Sequence, residues 1–338
     1  MPTINLLARN CTLFTTTKAL DEDAYRGSLQ RFVDFKIGPF LASGGSGEAN
    51  SLSWDEVRRV YQIGVEVCRG KVPVYANMPE VRSAQEAIDF SRLAIEAGVD
   101  VVNLYGPASL HGYRPTDGEL TAYFDEVLTA IKHPVTLAPN PIQGYAIKAR
   151  LIADLCNRYP QVESVTLNGL DGDAYFIDLK DALKRDAGMN VPLAGSLHTL
   201  GLGATGLSVN QCNFIPRTCR QYVDCYERGD LAAANRIYAD LHRFNRFVEQ
   251  WRGARWQKMA LKVFKLPGGE GGLRKPYLMP SDAEVERFTT GLLALGLAEI
   301  EEWAAAAGVS ARVRITFPRS GPLIALHALE ILRVPRPR

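Results

Sequence analysis

The chain has 338 residues, of which 46% are hydrophobic and 22% charged, a balance that can bury a large globular core. Lys and Arg total 39 against 37 Asp and Glu, so the charge balance predicts binding to neither nucleic acid nor a membrane surface. The six cysteines form no CxxC pair, which predicts free thiols and a cytoplasmic protein rather than a disulfide framework. The sequence predicts no secretory signal and no membrane-spanning segment.

Short apolar runs alternate along residues 1–215 with longer stretches of helical periodicity. This alternation is typical of repeated βα units around a parallel sheet. The predicted strands are 11–16, 39–44, 73–78, 99–106, 134–140, 162–168, 191–197 and 206–211. Eight strands of this kind predict an α/β fold, the (β/α)₈ TIM barrel.

Helix start and stop signals accompany the predicted strands. Ser53, with Glu56 three residues later, predicts a capping box, and Gly98 is placed to end the next helix. Residues 216–300 show helical periodicity alone and are predicted to form a C-terminal helical region packed on the barrel. Residues 301–338 form a tail for which three interpretations stay open. It is a disordered segment, a partner-binding segment or non-native sequence.

Several segments carry a resemblance to a known family, and they are 43–56, 97–107, 113–131, 137–147, 193–217 and 256–280. Their order and spacing resemble the dihydrodipicolinate synthase and N-acetylneuraminate lyase superfamily of class I aldolases. The stretch SGGSGEANSLSWDE is similar to the family's Gly-Thr-Thr-Gly-Glu loop and the helix after it. The resemblance covers about residues 8–300 and implies a (β/α)₈ barrel, a small-molecule substrate and a homo-oligomer, either a dimer or a tetramer.

The resemblance also identifies positions where this chain departs from the family. Family members use a lysine at the end of strand six, which forms a Schiff base with a 2-oxo acid and so provides an electron sink. Alignment puts Thr166 at that position, or Asn168 after a two-residue shift, so the Schiff-base lysine is predicted to be absent. His111 or Gly112 falls at the family's tyrosine, and Gln143 falls near its arginine. The resemblance therefore supports the fold more than the reaction.

Barrel enzymes place their chemistry at the carboxyl ends of the strands, which supplies the candidate site residues. The candidates for proton transfer are His111, Tyr113, His198 and Tyr105. The candidates for substrate binding are Ser46, Gly47, Glu48, Asn140, Gln143, Thr166, Asn168 and Asn210. These amides and hydroxyls predict hydrogen bonding to a polar, carboxylated substrate, with little acid–base power beyond the histidines.

Some of the same residues are consistent with other roles. Lys18 is the only lysine predicted near the barrel mouth, and three neighbouring acids favour a solvated loop lysine over an imine former. Glu48 is interpreted mainly as a brace for its turn. A divalent cation on Glu48, His111 and His198 would also polarise a carbonyl, but no ligand-spacing motif supports it, so no metal or cofactor is predicted.

Two functions from different classes are consistent with the sequence. The leading hypothesis is a lyase or aldolase-like enzyme that acts on a small, 2-oxo-acid-like substrate without a Schiff base at strand six. The alternative is a catalytically silent family member that serves as a ligand-binding or partner protein.

Overall fold

A computed structural model of the chain describes residues 3–170 and 172–310. Parallel strands close into a barrel in which each strand pairs with its neighbour in sequence and the last pairs with the first. The strands are β1 (Asn5–Arg9), β2 (Ile37–Leu41), β3 (Tyr75–Ala76), β4 (Val101–Tyr105), β5 (Val135–Ala138), β6 (Val162–Thr166), β7 (Gly188–Val191) and β8 (Gly206–Ser208). The predicted (β/α)₈ barrel is confirmed.

Helices follow the strands and then continue into a C-terminal region. They are α1 (Glu22–Asp34), α2 (Trp54–Cys68), α3 (Ala84–Ala97), α4 (Asp117–Ala130), α5 (Ala149–Arg158), α6 (Gly172–Ala182), α7 (Ser196–Gly201), α8 (Pro216–Glu227), α9 (Leu231–Val248), α10 (Arg255–Val263), α11 (Asp282–Ala294) and α12 (Ala298–Ala307). Helix α12 crosses the predicted boundary at residue 300, and the rest of the predicted tail, 311–338, lies outside the described residues. Within the described ranges, no helix is both long enough and apolar enough to span a membrane.

Two of the predicted strands are wrong in position. The first was expected at 11–16, but β1 forms at Asn5–Arg9, whose nearly continuous burial suits a strand packed on both faces. The seventh was expected at 191–197, but β7 forms at Gly188–Val191. Gly195 adopts a left-handed φ of 76° and caps the start of α7, so the apolar run around it cannot continue as a strand.

Local helix signals were predicted more accurately. Ser53 accepts a hydrogen bond from the Glu56 N–H, and the Glu56 side chain accepts one from the Ser53 N–H, so the capping box is confirmed. Gly98 ends α3 with a left-handed φ of 88°, as its position predicts.

The barrel interior changes from apolar to polar along the strands, because alternate side chains of each strand point inward. A buried apolar cluster fills part of the interior: Leu7, Phe40, Tyr75 and Val101. Further along, Thr166 Oγ1 lies 3.1 Å from Thr136 Oγ1 and accepts a 3.2 Å hydrogen bond from Asn190. The interior therefore presents polar groups toward the carboxyl ends of the strands.

Candidate active site

A cavity of about 350 Å³ opens where the strands end. Its walls are the 43–46 loop, side chains at the strand ends, and residues between 245 and 256, where α9 passes into α10. The C-terminal helical region therefore forms one side of the barrel mouth. The size suits a small molecule.

Arg9 supplies a positive charge to this cavity. It is the last residue of β1, and its side chain points into the barrel as that of Leu7 does two residues earlier. Its Nη1 lies 3.4 Å from Ser208 Oγ and its Nη2 lies 3.4 Å from Tyr105 Oη. No described carboxylate forms an ion pair with Arg9, whose guanidinium bonds to the hydroxyls of Ser208 and Tyr105. The exposed side chains of Glu80, Glu249 and Arg252 line the same cavity.

Tyr105 is held beside Arg9 by a buried amide network. Its hydroxyl donates a hydrogen bond to Asn77 Oδ1 at 3.2 Å. Asn103, two residues earlier on β4, donates to the same oxygen, and both asparagines are fully buried. The network fixes the Tyr105 hydroxyl at the cavity wall, since Asn103 and Tyr105 lie on β4 and Asn77 directly follows β3.

The end of β6, where the resemblance places the Schiff-base lysine, carries neutral side chains. Thr166 is fully buried, and its hydroxyl is occupied by Thr136 and Asn190. Asn168 lines the cavity, and its Nδ2 has no hydrogen-bond partner among the described residues. None of the described residues that line the cavity is a lysine.

Other amides around the cavity have unused hydrogen-bonding capacity. Gln143 Oε1 and Asn210 Oδ1 are buried and have no partner in the part of the chain that the structure describes. Asn140 lines the cavity while its Oδ1 accepts a 3.1 Å hydrogen bond from the Ile142 N–H. Since buried polar atoms normally have partners, these atoms are placed to bind a polar ligand or water.

The predicted binding loop is held by close packing within it and by contacts from α10. Ser46 lines the cavity, and its Oγ accepts a 2.9 Å hydrogen bond from Gln257. Gly47 packs so closely that a Cβ at this position would lie 2.6 Å from the Ser43 nitrogen. Glu48 is buried with a φ of 50° and lies outside the cavity lining.

Sequence reasoning missed a second lysine near the barrel mouth. Lys258 on α10 is fully buried, and its Nζ lies 3.3 Å from Glu48 Oε1 and donates to Thr12 O at 2.5 Å. The expectation that Lys18 alone lies near the mouth is therefore wrong. The missed signal is helical spacing, because Ala254 and Leu261 place Lys258 on a buried face.

The predicted proton-transfer residues do not converge in the structure. Tyr105 lines the cavity, whereas His111, Tyr113 and His198 are exposed and outside its lining. The Tyr113 hydroxyl donates to a glutamate in the first turn of α4, and this hydrogen bond raises the pKa of Tyr113. His198 Nδ1 pairs with Asp173 of α6 instead.

The three side chains considered as metal ligands are also engaged elsewhere or exposed. Glu48 pairs with Lys258, His198 pairs with Asp173, and His111 lies on an exposed turn. Within 3–170 and 172–310, no three His, Cys, Asp or Glu side chains are grouped so that they could hold a metal ion.

Comparison with known families identifies the wider group. The model of the dihydrodipicolinate synthetase family matches residues 3–293. The chain belongs to this family. The superfamily resemblance found in the sequence is thereby confirmed.

Sequence relatives within the family carry two different enzyme names. The chain is 29% identical over 282 residues to a 4-hydroxy-tetrahydrodipicolinate synthase from Hyphomonas neptunium, covering 82% of this chain and 93% of the relative. It is also 29% identical over 244 residues to a probable 5-dehydro-4-deoxyglucarate dehydratase from Methylobacterium radiotolerans, covering 71% and 76%.

Solved structures match the fold along most of the chain. The 4-hydroxy-tetrahydrodipicolinate synthase of Methylacidiphilum fumariolicum SolV gives a TM-score of 0.78 at 21% identity, covering 90% of this chain and 98% of that one. Dihydrodipicolinate synthase from Aquifex aeolicus gives 0.78 at 18% identity, covering 87% and 98%. At sequence identities this low, the structural similarity shows only that the barrel fold is shared.

Proposed function

We propose that this member of the dihydrodipicolinate synthetase family is a lyase that acts on a small, carboxylated, 2-oxo-acid-like substrate without a Schiff base at strand six. The observation that carries the proposal is Thr166 at the end of β6, buried and hydrogen-bonded to Thr136 and Asn190. A threonine hydroxyl cannot form an imine with a carbonyl. Family membership supports the lyase-type reaction.

The composition of the cavity supports the proposed substrate class. Arg9 at the end of β1 and the exposed Arg252 both line the cavity, and Arg9 bonds only to hydroxyls, which favours an anionic ligand. The unused amide atoms of Gln143, Asn168 and Asn210 favour a ligand that also carries hydroxyl or carbonyl oxygens. The loop from Gly44 to Glu48 is the proposed carboxylate-binding segment.

Tyr105 is the proton-transfer residue that the geometry supports best, since it alone of the four predicted residues lines the cavity. His111, Tyr113 and His198 would need their loops to close over the mouth before they could contact a substrate. Unchanged turnover in His111→Ala and His198→Ala would support Tyr105 as the proton-transfer residue, and lost turnover in either variant would return that role to the histidine.

The test of the proposed mechanism is trapping with pyruvate and borohydride, followed by mass spectrometry of the intact protein and its peptides. Borohydride reduces an imine to a stable adduct, and we expect no adduct on this chain. An adduct on any lysine, including Lys258, would restore the class I mechanism. A Thr166→Lys variant, checked for folding by circular dichroism, is the matched positive control because it returns an amine to strand six.

The same preparation separates the lyase from the catalytically silent alternative. Turnover of a 2-oxo acid that Tyr105→Phe lowers at least tenfold supports the enzyme. Binding of 2-oxo acids with no turnover of any member of a substrate panel supports the ligand-binding protein instead.

A further inference from the structure

We propose that Arg9 and Tyr105 together form the electrophilic centre of this site. In this role they hold the carbonyl oxygen of the substrate and stabilise the negative charge that develops on it when a bond at the neighbouring carbon breaks. The inference rests on the proposed function, because a protonated imine would make a second electron sink unnecessary.

The two donors have the spacing that a single oxygen requires. Arg9 Nη2 and Tyr105 Oη lie 3.4 Å apart, and both residues line the cavity. An oxygen about 2.9 Å from each donor fits between atoms so separated, which is the arrangement of an oxyanion hole. Because β1 and β4 supply the two side chains from different sides of the barrel, the shared oxygen lies toward the barrel axis.

The positive charge of Arg9 also supports the binding of a developing oxyanion. Lys258 is a buried cation whose charge is paired with Glu48. Arg9 instead meets the hydroxyls of Ser208 and Tyr105, and its Cζ lies 5.6 Å from the centroid of the Phe40 ring. A guanidinium stays protonated, so its charge is available to an incoming oxyanion. Charge on the ligand is stabilised more strongly in a recessed cavity than in bulk water.

The step that this centre supports is enolisation of a 2-oxo acid. The C–H bond next to the carbonyl breaks, its electron pair forms the carbon–carbon double bond, and the carbonyl π pair moves onto oxygen. In this proposed step the carbon-bound proton passes to Glu80, which lines the cavity after β3 and accepts a 2.7 Å hydrogen bond from Asn50, while Tyr105 supplies its hydroxyl hydrogen to the oxygen. The enolate oxygen accepts hydrogen bonds from Arg9 and from Tyr105, whose hydroxyl hydrogen turns away from Asn77.

Pyruvate tests this step without knowledge of the natural substrate. Exchange of its methyl hydrogens in deuterium oxide, followed by proton NMR, reports enolisation directly. We expect the unmodified chain to catalyse the exchange and Arg9→Met to lower the rate at least 100-fold, as removal of an oxyanion donor does. Arg9→Lys keeps the charge without the planar fork and should lose about tenfold, as should Tyr105→Phe.

A binding measurement gives a readout that does not need turnover. Oxalate is a planar dianion that resembles the enolate of pyruvate, and calorimetry should show about tenfold weaker oxalate binding to Arg9→Met. Arg243→Met is the matched control, because it removes the same charge from an exposed position on α9 that pairs with Asp240. Exchange and oxalate affinity should be unchanged in that variant.

The outcomes separate this inference from the proposed function. If Arg9→Met exchanges as fast as the unmodified chain and no borohydride adduct forms, the electrophilic centre is overturned and the proposed function stands. Absence of exchange in the unmodified chain also overturns the electrophilic centre alone. A lysine adduct on the unmodified chain, together with unchanged exchange in Arg9→Met, overturns both proposals. Circular dichroism and thermal unfolding establish folding. If Arg9→Met does not fold, Arg9→Lys and Tyr105→Phe decide the question, and exchange as fast as that of the unmodified chain in both variants overturns the proposal.

Discussion

Lys258 and Glu48 form a buried ion pair that fixes the loop from Gly44 to Glu48, the mouth loop, to α10. Their side chains are 0% and 2% exposed, and Glu48 Oε2 also accepts a hydrogen bond from the Arg274 N–H. Removal of one partner leaves the other charge buried without compensation, which costs far more than loss of an exposed pair.

We expect Lys258→Met to lower the free energy of unfolding by about 3–5 kcal/mol. Urea denaturation measures the change. A double-mutant cycle with Glu48→Gln is the control, because the double variant leaves no unpaired charge and should be more stable than Lys258→Met alone. Equal stability of the single and double variants would show that the pair is not coupled.

The stability of the folded chain also depends on pH through Glu56. Arg274 binds Glu56 through two hydrogen bonds, of 2.6 and 2.8 Å, and these contacts lower the pKa of Glu56 below its ordinary value of 4.5. A carboxyl whose pKa is lower in the folded state adds stability above its unfolded pKa, and this contribution disappears as pH falls through the folded pKa.

Glu56→Gln should therefore be less stable than the unmodified chain at pH 7, and the difference should shrink as pH falls below about 4.5. Urea unfolding over a series of pH values measures this. Glu126→Gln, an exposed glutamate change on α4, is a control that should leave the pH profile in place.

Residue roles were predictable where they depend on near neighbours. The capping box joins Ser53 to Glu56, which is only three positions further along the chain. The partners of Lys258 and Gln257 lie 246 and 211 residues away, a distance that no periodicity encodes. Arg9 was missed because the first strand was predicted six residues too late, which left Arg9 outside any strand.

The loop after β2 depends on the absence of a side chain at Gly47. A Cβ on Gly47 would lie 2.6 Å from the nitrogen and 2.8 Å from the oxygen of Ser43, and both are backbone atoms that cannot rotate away. The loop would have to move, and with it the cavity wall at Ser46.

We expect Gly47→Ala to destabilise the protein by about 1–3 kcal/mol, the usual cost of overpacking. Thermal unfolding and ligand affinity measure the effect. Gly27→Ala is the matched control, because Gly27 lies exposed within α1 and a Cβ there meets no atom within 4 Å. That change should be neutral or stabilise by about 1 kcal/mol. A Gly47 variant as stable as the control would contradict the argument.

Elements themselves were predictable in kind more often than in position. Apolar runs locate a buried parallel strand but do not distinguish it from an adjoining buried turn. Residues 11–16 and 191–197 show this, since both are apolar segments that follow a strand. The left-handed Gly195 marks the end of the second one, and a conformation of this kind is decided by the fold around it.

For the whole molecule, the cysteines report on global unfolding. All six are free and buried in the structure. Burial raises the pKa of Cys11 and Cys156 to about 11 and that of Cys68 to about 12, which suppresses the reactive thiolate.

We expect a thiol reagent such as iodoacetamide to label fewer than one cysteine per folded chain at pH 7 and all six in denaturant. Mass spectrometry counts the labels. The rise of labelling with urea should coincide with the loss of helical circular dichroism. Rapid modification of one cysteine in the folded protein would reveal local opening instead.

The bracing of the mouth loop by α10 has a consequence for how the protein is made. Ser46 and Glu48 leave the ribosome long before Gln257, Lys258 and Arg274, which hold them in place. The nascent chain thus completes its eighth strand while the pocket is still unbraced. The complete pocket can form only after about nine-tenths of the described chain, through Arg274, has been synthesised, so a message truncated within α10 yields a barrel without a working mouth.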